Sequence, residues 1–161
     1  MEIRKAQPGD LDRLMEIYRA AKDFMDRSGN PTQWKKGYPT REMIAADIEK
    51  GQGYVCVENG IVHAAFALVP GEDPFYGVIE DGQWKNDRPY GAIHRVASDG
   101  VIRRVFDEMF CFCRAQIEDL RADTHQDNRV MQQALERCGF VRCGIIYVAN
   151  GTPRIAYQYV P

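Results

Sequence analysis

The chain has no apolar stretch long enough to cross a bilayer. Its longest, Ile61 to Val69, contains His63 and falls well short of the ~20 residues that a spanning helix needs. It has no basic stripe either, since 21 Lys and Arg are scattered among 23 Asp and Glu. Without one, neither nucleic acid nor a membrane surface is an expected partner. No repeat, low-complexity tract or linker interrupts the 161 residues, so one domain over 1–161 is expected. The opening Met1-Glu2-Ile3-Arg4-Lys5 has no apolar core and no cleavage pattern. Of the five cysteines, Cys111 and Cys113 are separated by one residue and Cys138 and Cys143 by four. Neither spacing is that of a zinc site, and the first pair would point to different faces of a helix. No metal is therefore expected, and the thiols read as reduced in a cytoplasmic protein.

The patterns that are present describe alternating strands and helices. A short strand at Glu2 to Ala6 precedes Pro8, placed to open a helix. Leu11, Leu14, Met15, Tyr18, Ala21 and Met25 then recur at helical spacing. Ser28-Gly29-Asn30-Pro31 stops that helix, and a loop with Trp34 and Tyr38 follows. Thr40 is an N-cap for a second helix carrying Ile44 and Ile48. Tyr54 to Val57 and Ile61 to Val69 form a hairpin through Asn59-Gly60, because Asn-Gly tolerates the positive φ of such turns. Pro70 to Pro89 is a long Gly-, Pro- and Asp-rich loop. A strand at Ala92 to Ala97, a helix from Ile102 to Ile117, a strand at Leu120 to Thr124 and a helix from Asn128 to Cys138 come next, the last closed by Gly139. Two strands, Val141 to Val148 and Arg154 to Val160, end the chain. The expectation is an α/β (α+β) fold: a mixed, mostly antiparallel sheet of about seven strands flanked by about four helices.

The passage from strand to helix at Ser98-Asp99-Gly100 carries the clearest chemistry. Free N–H groups at a helix start bind anions. Arg103 and Arg104, read as lying in the first turns, oppose the helix dipole at about 0.3–1 kcal/mol each. Either they lie on a solvated face, or they answer a bound anion such as a diphosphate.

With Ile3-Arg4-Lys5-Ala6 and Asp10-Leu11 at the start, and Asn128 placed eleven residues before Gly139-Phe140, the whole chain resembles the GNAT superfamily of N-acetyltransferases. Glu136, Arg137, Gly139 and Phe140 match or nearly match that family's Tyr-Glu-Lys-x-Gly-Phe pattern. The resemblance implies acetyl-coenzyme A as cosubstrate and no metal. It implies that Val96 and Ala97 meet the pantetheine arm and that Gly100, Val101, Ile102, Arg103, Arg104 and Val105 hold the diphosphate. Asn128 would contact the coenzyme near its thioester or pantetheine end. The acceptor, a small-molecule or peptide amine, would enter between the first two helices and the Gly71 to Pro89 loop. A homodimer through the last strands fits the family.

Two departures stand out. The phosphate loop has one glycine where the family usually has two, and Leu135 replaces a tyrosine that protonates the leaving thiolate in many members. Tyr147 and Tyr157 are then candidates for the acid. For the base, His94 leads, since an imidazole titrates at about 6.5, with His125, Asp123 and Glu80 behind it. Trp34, Tyr38 and Trp84 are candidate acceptor contacts. A non-catalytic acyl-coenzyme A sensor is the alternative reading, and an interaction domain that has lost the ligand is a third.

Overall fold

The computed structural model describes residues 1–161. The elements are β1 (Glu2–Lys5), α1 (Leu11–Arg27), α2 (Arg41–Glu49), β2 (Gly53–Glu58), β3 (Ile61–Pro70), β4 (Gly91–Ser98), α3 (Val105–Gln116), β5 (Leu120–Thr124), α4 (Arg129–Arg137), β6 (Val141–Tyr147) and β7 (Pro153–Tyr159). They build one seven-stranded sheet in the order β1-β2-β3-β4-β5-β7-β6. Every pairing is antiparallel except β4 with β5. No helix is long and apolar enough to cross a membrane.

Local chemistry explains most boundaries. The Thr40 hydroxyl caps α2 by accepting from the Met43 N–H at 3.2 Å. Asn59 and Gly60 turn the β2–β3 hairpin at φ 52° and 77°. Arg4 grips Asp10 through two hydrogen bonds of 2.8 and 3.0 Å, which ties β1 to the entry of α1. Two starts differ from expectation. Pro8 opens a 3-10 turn, Pro8–Asp10, before α1 begins. Helix α3 begins at Val105 rather than Ile102, because Arg104 takes a left-handed conformation at φ 53° and interrupts the coil. Arg103 and Arg104 therefore sit in the turn ahead of the helix and do not oppose its dipole from within.

The central strand β3 is buried on both faces, as its unbroken apolar run predicts. One face packs Leu14, Ile17, Tyr18 and Ile44 of α1 and α2 against Val55, Ala65 and Ala97. The other packs Phe106, Met109, Phe110 and Leu135 of α3 and α4 against Phe66, Ile93, Leu120 and Tyr157. The long loop after β3 is anchored across the β5–β7–β6 half. Arg121 lies between the rings of Trp84 and Tyr90, 4.1 and 3.9 Å from their centroids. Glu80 bridges Ile145 through backbone bonds of 2.9 and 2.8 Å.

Strands β4 and β5 set up the site. They pair only at Gly91–Leu120 and Ala92–Arg121 and then part. The register of β3 and β4 shifts between Ala65 and Ala67, opposite Arg95, whose φ of 51° marks a bulge. A bulge bends and overtwists its strand, and here it swings β4 away from β5. Arginine in this conformation is strained by about 1–3 kcal/mol. It is held there by two bonds from its guanidinium to buried Asp47 (2.7 and 2.8 Å) and by the Tyr18 hydroxyl, which donates to its carbonyl at 2.7 Å.

Candidate functional site

The split between β4 and β5 opens into a cavity of about 570 Å³, within the range of small-molecule sites. Ile93, His94, Arg95 and Val96 form one wall, and Asp123, Asn128 and Met131 another. The loop after α1 contributes Gln33, Trp34, Lys35 and Tyr38, and the loop after β3 contributes Asp73, Phe75 and Tyr76.

His94 and Asp73 form a hydrogen-bonded pair on the cavity wall. Nε2 of His94 lies 2.8 Å from Oδ2 of Asp73. Burial would raise the Asp73 carboxyl. The His94 hydrogen bond, the Phe75 amide and the charges of His94 and Arg95 outweigh burial and hold it below the ordinary carboxylate value. An ionised carboxylate only accepts, so Nε2 carries the proton. In the neutral ring Nδ1 keeps its lone pair, and the ring's hydrogen bond within the chain is made by Nε2 alone. A ring oriented by a carboxylate, with its other nitrogen free, is the arrangement of a general base.

The other titratable candidates are engaged elsewhere. The Asp123 carboxylate accepts from the Tyr76 hydroxyl at 2.7 Å, and burial first and that carboxylate second push Tyr76 well above its ordinary value. His125 faces Thr32 through Nε2 at 3.2 Å and accepts from the Asp127 amide through Nδ1 at 3.0 Å. Burial and then the charge of Arg154 lower its pKa. Tyr147 is not part of the cavity wall: its hydroxyl donates to Glu80 at 3.0 Å on the outer surface. The cause is the bulge between Arg142 and Gly144 in β6, which resets the in–out alternation. Tyr157 is fully buried, donates to Glu136 at 3.1 Å and is pushed up to about 12, chiefly by burial. Trp84 is also outside the cavity, because its ring covers Arg121 and its indole N–H donates to the Tyr76 carbonyl at 2.8 Å. Trp34 and Tyr38 do line it, as does Val96, whereas Ala97 is packed into the core under α1.

Between β4 and α3 the chain offers an anion site of uneven quality. The Gly100 amide donates to Ser98 Oγ and the Val101 amide to Asp99 Oδ1, both at 3.0 Å, so two expected donors already have partners. From Ile102 to Phe106 no amide closes a well-formed hydrogen bond. Arg103 and Arg104 are exposed and belong to none of the ion pairs. The one carboxylate of the loop, Asp99, is tied back by His63 Nδ1 and Arg13 Nη2, each at 2.7 Å. Burial acts to raise Asp99, but these partners and the Val101 amide bring it below the ordinary value. Asn128 caps α4 by accepting from the Met131 amide at 3.0 Å, and its Nδ2 donates to Gln33 at 2.8 Å.

Sequence reasoning missed Asp73, Gln33 and Arg154. Only the first left a trace, as an acid before proline in a long loop, and nothing in the sequence shows that it meets a residue of β4.

Because Asp73 and Asp99 are both depressed in the folded state, the stability they add is present above the ordinary carboxylate range and is lost as pH falls through their lower folded values. Urea midpoints of the wild type are expected to decline on acidification below about pH 4. Asp73→Asn removes a charged hydrogen bond of about 1.5–3 kcal/mol at neutral pH and is expected to make that decline shallower. An equally steep acid limb in the variant would show that Asp73 contributes nothing to it.

Comparison with solved structures places these features in context. An acetyltransferase of the GNAT family from Streptococcus agalactiae superposes with a TM-score of 0.88 at 31% identity, over 99% of this chain and 95% of that one. A ribosomal-protein-alanine N-acetyltransferase from Brucella melitensis gives 0.65 at 18% identity over the full length of both chains. A Salmonella typhimurium protein named as an acetyltransferase, solved with its cofactor acetyl-CoA, gives 0.63 at 17% over 99% of this chain and 93% of that one. The last two show a shared fold alone. No protein-family model and no curated protein matches the sequence.

Proposed function

The chain belongs to the GNAT family of acetyltransferases, and on that premise we propose that it moves an acetyl group from acetyl-coenzyme A to an amine by direct attack, with His94 as general base. The observation that carries this reading is the split between β4 and β5, which leads into a cavity holding the Asp73–His94 pair.

Each part has a physical role. The unpaired edge of β4 beyond Ala92 leaves backbone groups for the amide-bearing pantetheine arm. The amides from Ile102 to Phe106, with Arg103 and Arg104, offer donors and positive charge to the diphosphate. Gly100 and Val101 join them only if their amides leave Ser98 and Asp99. Asn128, fixed by the start of α4 and by Gln33, lies on the cavity wall beside β4. His94 Nδ1 takes a proton from the acceptor nitrogen, and Asp73 holds the ring so that this nitrogen faces the cavity. As the new C–N bond forms and the C–S bond breaks, the acceptor nitrogen gives up its protons to His94 and solvent, and the thiolate takes one back from solvent. Leu135 cannot supply it, and Tyr147 and Tyr157 are turned away from the cavity. A paired, oriented imidazole on the wall favours a catalyst over a sensor, which has no use for a base.

Acetyl-coenzyme A at a hundred times its Kd is expected to raise the melting temperature by about 5–10 °C, and an amine is expected to release free coenzyme A thiol. No shift at millimolar concentration would overturn the acyl-donor assignment. A shift without thiol release across a broad amine panel would leave the sensor reading.

A further inference from the structure

The same cavity contains a buried guanidinium without a carboxylate partner. Arg154, at the start of β7, is only 6% exposed and lines the cavity. Its five N–H donors make three hydrogen bonds, all to neutral oxygens. Nη1 donates to Thr152 Oγ1 and the Pro153 carbonyl at 3.0 and 2.9 Å, and Nη2 donates to the Gln33 carbonyl at 2.8 Å. No carboxylate lies within ion-pair distance. Nε has no partner and, unlike the Nε of Arg121, keeps some accessible surface. Asp123, whose charge acts on Arg154, is held by Tyr76. Arg95 differs in this respect, since its charge is neutralised by Asp47.

Burying a positive charge without a counterion is unfavourable by several kcal/mol, and burial indeed lowers the Arg154 pKa despite the pull of Asp123. A planar fork with N–H groups free on two neighbouring nitrogens accepts a carboxylate through two parallel bonds. The opposite character lies beside His94, where the Asp73 carboxylate favours an ammonium. Trp34, Tyr38 and Phe75 offer apolar surface beside both.

We infer that the acceptor is a small amino acid, with its carboxylate on Arg154, its amine at His94 and an apolar side chain against Trp34 and Phe75. This rests on the acetyl-transfer reading and narrows its substrate class. A phosphate suits the same fork, and the phosphate-bearing pair in the test separates it from the carboxylate.

The test compares amines with and without the acid: phenylalanine against 2-phenylethylamine, methionine against 3-(methylthio)propylamine, and O-phosphoethanolamine against ethanolamine. Thiol release is followed at saturating acetyl-coenzyme A. In the wild type kcat/KM is expected to favour each amino acid over its decarboxylated partner by about ten- to a hundredfold, the effect of one charged hydrogen-bond pair. In Arg154→Gln that ratio is expected to shrink to within about threefold, mainly through KM, and Arg154→Lys is expected to fall between. Equal rates for the members of each wild-type pair overturn the inference, and so does a preference confined to the phosphate pair. The wild-type ratios decide the matter if the variants do not fold. No turnover with any amine overturns the acetyl-transfer reading itself, whereas turnover without a carboxylate preference overturns only the acceptor class.

Discussion

His94→Gln is expected to lower kcat by about a hundredfold to ten-thousandfold, the range that a positioned general base contributes. The melting-temperature rise with acetyl-coenzyme A should persist, because His94 lies in β4 and not among the 102–106 amides. The reasoning is local. An acceptor ammonium must lose a proton before its nitrogen can attack. The cavity wall offers Asp73, Asp123 and His94 for this, but Asp123 is occupied by Tyr76 and Asp73 by His94. Only the imidazole presents a nitrogen with no other partner. Glutamine keeps the size and a hydrogen bond to Asp73 but cannot titrate. The loss should therefore fall on kcat with the acceptor KM within about threefold, whereas a purely structural role would move KM and the melting temperature as well. A His94→Gln enzyme within threefold of wild type at pH 7 would show that water takes the proton unaided.

Asp73→Asn probes the same unit from behind. The carboxamide oxygen of that variant can still accept from Nε2, but the charge that stabilises the imidazolium is gone. Its kcat should fall in the same direction and by less. These two losses should not add, since both residues act through one proton transfer.

Much of the scaffold was legible because its signals are local. Leu14, Tyr18, Ala21 and Met25 are buried at the spacing that announced α1. Asn59-Gly60 and Gly139 adopt the positive φ their residue types favour. Even the family's opening pattern has a simple cause, the Arg4–Asp10 clamp between β1 and the 3-10 turn. The site was legible only in outline. His94, Val96 and Asn128 could be placed near the split, but the Asp73–His94 contact spans 21 residues and depends on how a long loop folds back. Arg104 and Arg95 hold positive φ without any compositional sign of it, so the start of α3 and the bulge in β4 were invisible. The bulge in β6 likewise reversed the direction expected for Tyr147. Trp84 read as an acceptor contact because aromatic side chains in loops favour pockets; here the stronger demand was a buried arginine, Arg121, without a carboxylate partner.

The reversal of charge ahead of α3, Arg103→Glu with Arg104→Glu, should raise the Kd for acetyl-coenzyme A by at least about a hundredfold and abolish the thermal shift. Each charge-assisted bond to a phosphate oxygen is worth about 1.5–3 kcal/mol, and a glutamate adds repulsion where attraction stood. The free protein should melt within about 2 °C of wild type, because both side chains are exposed and neither forms an ion pair. Glutamate is also no worse than arginine at the left-handed φ of residue 104. High salt should weaken wild-type binding and leave that of the double variant unchanged or slightly tighter, since screening weakens attraction in the first and repulsion in the second. Ser98→Ala supplies a contrast of opposite sign. It frees the Gly100 amide from the Ser98 hydroxyl, so coenzyme affinity should hold or improve if that amide turns to the diphosphate. Undiminished affinity in the double-glutamate protein would mean that the amides from Ile102 to Phe106 suffice without the guanidinium groups, or that the diphosphate lies elsewhere. Ser98→Ala separates these outcomes, because only in the first does a newly freed neighbouring amide strengthen binding.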